Sequence, residues 1–128
     1  MANRMFKPLK GSLTQGITCL TGSWTFGSSG AVTFSGVGFG VSTSSSGVQT
    51  ITLEDKYNAL LGVQFTVVGD GDFAAAETTA IRLTAEDVDG DKTIGLKYLG
   101  VDDGDAQTDA NLDGKKVLCM IWLKNSSV

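Results

Sequence analysis

Apolar residues fall on alternate positions through most of this chain, and Gly, Ser, Thr and Asp separate the runs. A period of two predicts strands, because successive side chains leave an extended backbone on opposite faces. Residues 17–26 put Leu20, Trp24 and Phe26 on one parity and predict a first strand. Gly27-Ser28-Ser29-Gly30 predicts a turn. Residues 31–34 and 37–41 predict two short strands, with Gly36 and Gly38 marking a bulge or sharp bend. A polar loop at 42–47 precedes a strand at 48–53, and the charged stretch 54–60 predicts a single helical turn or a wide corner.

The second half continues in the same way. Residues 61–68 predict a strand with Leu61, Val63, Phe65 and Val67 on one face and Gln64 and Thr66 on the other. In residues 79–88, Ile81, Leu83 and Ala85 oppose Arg82, Thr84 and Glu86, which predicts one wet face. Asp89-Gly90 is a hairpin signal leading to a strand at 92–99, and an acidic loop follows from Asp102 to Gly114. Residues 116–124 break the pattern. Val117, Cys119, Ile121 and Leu123 form one parity and Leu118, Met120 and Trp122 the other. Both faces are therefore expected to be buried, one in the core and the other against a neighbouring subunit.

Seven or eight short strands, separated by turns about every 8–12 residues, predict an all-β, single-domain antiparallel β-sandwich, with a jelly roll as one such arrangement. A chain of 128 residues with 41% hydrophobic residues has the size and apolar content for one core. Residues 1–15 carry the single proline and little alternation. They read as an extended N-terminal arm, with the sandwich domain in residues 16–128. Arg4, Lys7 and Lys10 make this arm basic, whereas the whole chain carries −4, so a basic arm precedes an acidic body.

Charge and residue types then limit the chemistry. With no His among the 128 residues, Ser-His-Asp and Cys-His arrangements are excluded, as are His-based metal sites. Half of the 14 acidic residues lie directly beside Gly in turn sequences, and no nucleophile-base pair stands out, so the chain is expected not to be an enzyme. The acidic balance lacks the cationic footprint that a nucleic acid requires. No segment approaches the roughly 20 apolar residues of a membrane span, and the start has no apolar run typical of a signal peptide. Cytoplasmic synthesis without a membrane partner is the corresponding expectation.

Cys19 and Cys119 are too far apart in sequence for a CxxC motif and read as reduced, buried thiols. Asp87, Asp89 and Asp91 resemble a fragment of a calcium loop, yet the closing Glu expected near the twelfth position falls on Tyr98. A solvated Asp-Gly hairpin turn is the simpler reading, and no cofactor is expected. Gly36, Gly38 and Gly40 precede no helix and read as backbone geometry. Trp24, Phe26 and Tyr57 are expected in the core. Trp122 is expected in a contact between subunits, because the inward parity of its strand is already filled.

Three stretches add a resemblance. Arg4-Met5-Phe6-Lys7-Pro8-Leu9-Lys10-Gly11-Ser12-Leu13, Thr50-Ile51-Thr52-Leu53-Glu54-Asp55-Lys56-Tyr57-Asn58-Ala59-Leu60-Leu61-Gly62-Val63 and Leu123-Lys124-Asn125-Ser126-Ser127-Val128 together resemble small structural proteins of tailed bacteriophages and prophages. Within that class, a small acidic β-domain with a basic arm looks most like a capsid decoration, or cement, protein. The resemblance implies a trimer on the virion surface that clamps neighbouring subunits of the major capsid protein and stabilises the expanded head. Leu118, Met120 and Trp122 would then form the oligomer interface. Arg4, Phe6, Lys7, Leu9 and Lys10 would form a capsid-contact arm. Two alternatives stay open: a tail, baseplate or fibre component, and a carbohydrate-binding β-sandwich, which exposure of Trp24 or Tyr57 beside the acidic loops would favour.

Overall fold

The computed structural model describes residues 16–69 and 79–125, and within them the chain is an antiparallel β-sandwich. The strands are β1 (Ile17–Phe26), β2 (Val32–Gly36), β3 (Phe39–Val41), β4 (Val48–Leu53), β5 (Ala59–Val68), β6 (Thr79–Asp87), β7 (Thr93–Gly100) and β8 (Lys116–Lys124). One sheet runs β2-β1-β8-β5 and the other β3-β4-β7-β6. Hairpins join β1 to β2, β3 to β4 and β6 to β7, and the remaining connections change sheets. Between the two sheets lies one core, including Leu20, Trp24, Ile51, Leu96, Tyr98 and Ile121.

Two helical pieces occupy the loops. A 3-10 turn at Ser28–Gly30 sits in the predicted turn, and helix α1 (Asp109–Leu112) falls in what the sequence marks only as an acidic loop. Thr108 caps α1, its hydroxyl accepting from the Asn111 amide at 3.2 Å, and the side chain of Leu112 is buried beneath. One turn of helix is too short for a periodic signal, so the cap and that single leucine are all the sequence offers. The charged stretch after β4 is a corner without helix, tied down where the Tyr57 amide donates to the Val88 carbonyl at 2.9 Å.

Two strands depart from simple alternation. A bulge between Leu60 and Gly62 sets Leu61 outside the face shared by Val63, Phe65 and Val67, and Leu61 is half exposed. A second irregularity, between Leu83 and Ala85, interrupts β6, and residues 82–86 are exposed on both faces. The expected single wet face of β6 therefore holds only near Ile81. A bulge adds one residue to a strand and shifts the parity beyond it, which a strict period of two cannot express.

The glycines of the β2–β3 corner are geometric, as their strand-like setting suggests. Gly38 has φ +89°, a region that L side chains rarely adopt. A Cβ at Gly36 would lie 2.6 Å from the Phe34 ring.

The sheets are joined by a buried polar chain as well as by apolar contact. The Trp24 indole on β1 donates to the Tyr98 hydroxyl on β7 at 3.2 Å, Tyr98 donates to Gln49 Oε1 on β4, and Gln49 Nε2 donates to the Ser42 carbonyl at 2.8 Å. A buried polar group stabilises when paired and costs its desolvation when it is not. Burial also raises the pKa of the Tyr98 phenol, keeping it neutral and able to donate. Tyr98→Phe leaves both Trp24 and Gln49 without this partner and is expected to lower stability by about 2 kcal/mol. Urea unfolding checks this, and an unchanged midpoint would remove the chain from the list of stabilising contacts.

Candidate interaction face

The strand that lacks alternation sits at the middle of a sheet. β8 pairs with β1 on one side and β5 on the other, so its backbone is fully committed. Val117, Cys119, Ile121 and Leu123 point inward and are buried. The opposite parity points out of the sandwich: Leu118 is 41% exposed, Met120 is 38% exposed and Trp122 is half-buried. Among the described residues no strand or loop packs over this outer parity, where the sequence alone would have both faces covered.

Register places the neighbours on this outer face. Cys19 and Gly62 flank Trp122, Thr21 and Gln64 flank Met120, and Ser23 and Thr66 flank Leu118. Between Lys116 and Lys124, which end the strand, the central rows carry no charged residue. Two shallow depressions run across them, one lined by Thr21, Gln64, Thr66, Leu118 and Met120, the other by Ile17, Leu61, Gln64 and Trp122. The other sheet contrasts with this. Its Arg82 and Lys97 are direct cross-strand partners, and like charges placed opposite each other repel unless water screens them, which marks that face as wet. An uncharged, partly apolar patch with an aromatic residue has the composition of an interface centre.

The remaining candidates resolve differently. Trp24, Phe26 and Tyr57 are buried, so Trp24 and Tyr57 offer no stacking platform for a sugar. Asp87 accepts the Asp91 amide at 2.8 Å and closes the turn between β6 and β7. Among the described residues, no three Asp, Glu, Cys or His side chains converge on a point that a metal ion could occupy. The arm residues Arg4, Phe6, Lys7, Leu9 and Lys10 lie outside the described residues. No helix among the described residues is long and apolar enough to cross a membrane.

Both cysteines are free thiols. Cys119 faces the core, where burial pushes its pKa up from 9.0 to about 12. Cys19 lies beside Trp122 on the outer face, half-buried and shifted upward by the same cause. The outer row of β8 is legible in the sequence, whereas the place of Leu61 on β5 is not, because its bulge cannot be located without the partner strand.

Among the described residues, eight strands form an antiparallel sandwich whose β2-β1-β8-β5 sheet carries no charge in the central rows of its outer face. Comparison with known proteins finds no family model, no curated protein and no solved structure that matches this chain.

The thiols supply a check on the geometry. At pH 8 a thiol reagent is expected to label Cys19 slowly and Cys119 only after unfolding, because the thiolate reacts and burial disfavours it. Equal labelling of both in the native chain would contradict the inward assignment of Cys119. A thiol whose pKa is higher in the folded chain stabilises the fold below its unfolded value and loses that contribution as pH rises toward its folded value. Stability measured against pH is therefore expected to fall from about pH 9 towards 12, and Cys119→Ala should reduce the slope.

Proposed function

We propose that this chain is a non-catalytic structural protein of a tailed-bacteriophage or prophage virion, a capsid decoration protein that binds across neighbouring coat subunits and stabilises the expanded head. The observation that carries the reading is the outer face of β8. Leu118, Met120 and Trp122 occupy a central strand with no charge in their cross-strand rows. Central strands are where a sandwich normally fills its own core, and an apolar row on the other side is explained by a second protein surface. The resemblance of the three sequence stretches to phage structural proteins supplies the class of partner.

In this reading Leu118, Met120 and Trp122 join three copies into a homotrimer on the virion surface after synthesis in the host cytoplasm. The arm, residues 1–15, carries its cations toward the major capsid protein. Binding to the expanded shell and not to separated subunits stabilises the shell by mass action. Three linked copies raise the effective concentration of each further contact. Nucleic acid, membrane and cofactor have no role in it.

Two measurements test the reading. Trp122→Asp places a charge on the apolar row of the face without touching the core and is expected to reduce the trimer to single folded copies, read by light scattering and circular dichroism. A trimer that survives the substitution would remove this face from assembly. Cosedimentation with phage heads stripped of minor proteins is expected to show saturable binding to heads and none to isolated tails, with Arg4→Glu and Lys7→Glu together weakening it at least tenfold. Binding to tails alone would reassign the protein to the tail apparatus, and binding to neither would overturn the virion reading.

A further inference from the structure

The two long sides of the sandwich are finished differently. At the β2–β3 side, the chain itself passes between the sheets through residues 37–38, and the Phe34 and Phe39 rings meet edge to face at 5.2 Å. At the other side lie the edges of β5 and β6, and among the described residues neither edge pairs with a further strand. Between them runs a groove lined by Phe65, Thr66, Val67, Thr79 and Ile81. Phe65 and Ile81 pack against the core yet stay only partly buried, so the hydrophobic interior reaches the surface here.

β5 is also unprotected by sequence. Its ten residues, Ala-Leu-Leu-Gly-Val-Gln-Phe-Thr-Val-Val, contain no charge and no proline. Long edge strands of this kind pair with other chains unless something covers them, which is why natural edges carry lysine, proline or bulges. The Leu61 bulge guards only the first third, leaving 62–68 regular. An extended segment added along β5 would pair the backbone groups that no described strand pairs and place alternate side chains over Phe65, Val67 and Ile81.

One segment of this chain fits. Leu9-Lys10-Gly11-Ser12-Leu13-Thr14 alternates, with Leu9, Gly11 and Leu13 on one parity and Lys10, Ser12 and Thr14 on the other. It belongs to an arm of net charge +3 on a chain of net charge −4, so attraction between arm and body favours docking. Its own groove is poorly placed for it. The Gly16 carbonyl accepts from the Asn125 amide at 2.8 Å, which fixes the arm's exit on β1, on the far side of β8 from β5. Reaching a position outside β5 means crossing three strand spacings, about 14 Å, which uses about four or five residues. The crossing would consume Leu13 with the residues that follow it, and Lys7-Pro8-Leu9-Lys10 would be left to pair.

We propose that residues 9–14 of one copy add as a strand to the β5 edge of a second copy, with Leu9 and Leu13 entering the groove between β5 and β6. Passed head to tail from copy to copy, such an exchange closes into a ring where the rotation between copies closes, as a trimer requires. The exchange rests on the self-association in the reading above and adds what the outer face lacks. Three strands by nine residues give that face roughly 400 Å², about half of the ~800 Å² per partner of a standard interface. Residues ahead of Leu9 remain available to a capsid neighbour.

The test uses two full-length chains, one carrying Leu13→Cys and the other, enlarged by a tag, carrying Ile81→Cys. After mixing and mild oxidation, a covalent adduct between the two is expected, while the parent chain with Cys19 and Cys119 alone gives none. Leu9→Asp with Leu13→Asp, changes outside the described core, is expected to weaken self-association at least tenfold. An oligomer by light scattering with no mixed adduct would overturn the exchange and leave the outer face standing. Cross-linking confined to single chains when both substitutions share one copy would overturn it in favour of an arm folded onto its own body. A chain that is a single copy throughout would overturn both the exchange and the proposed trimer.

Discussion

A strand sends successive side chains to opposite faces, so a strand apolar at nearly every position cannot hide itself within one sandwich. Residues 117–123 impose that constraint here. Pairing with β1 and β5 fixes β8 in the middle of its sheet, and Val117, Cys119, Ile121 and Leu123 complete the core. Leu118, Met120 and Trp122 then have nowhere to go but outward. The uncharged rows beside them, the contrast with the Arg82–Lys97 face and the assembly proposed for this surface all follow from that placement.

The inner side must be held firmly for the outer side to present a defined surface. The chain Trp24, Tyr98, Gln49 and Ser42 crosses from one sheet to the other and fixes their relative position through directional contacts. Phe26 packs edge-on against the same Tyr98 ring with centroids 5.3 Å apart. Gly22 makes room for Phe39, since a Cβ there would lie 2.7 Å from that ring. A sheet clamped in this way can carry a rigid interface on its far face, where ordering a flexible one would cost affinity.

Much of this architecture is legible in the chain. The strands at 17–26, 48–53 and 116–124 follow from alternation and turn residues, as do the all-β sandwich and the core roles of Trp24, Phe26 and Tyr57. The two parities of β8 can be separated by reading alone. Which of them faces inward is settled by the Trp24 and Leu20 rows of β1, since Trp24 pairs with Val117 and Leu20 with Ile121. What escapes is whatever depends on a partner strand: the bulge that expels Leu61, the irregularity that bares residues 82–86, and α1, a helix of one turn. The β5–β6 side, where no described strand continues either sheet, is equally hidden, because an edge is a property of strand order, which local pattern does not encode.

The central claim is that the outer rows of β8 are covered when the protein is assembled. Hydroxyl-radical footprinting of the full chain, dilute and then at assembly concentration, reads it most directly. Protection of Leu118, Met120 and Trp122 on assembly, with Lys97 and Arg82 labelled as before, is the result predicted. Equal labelling of both faces at every concentration would contradict it.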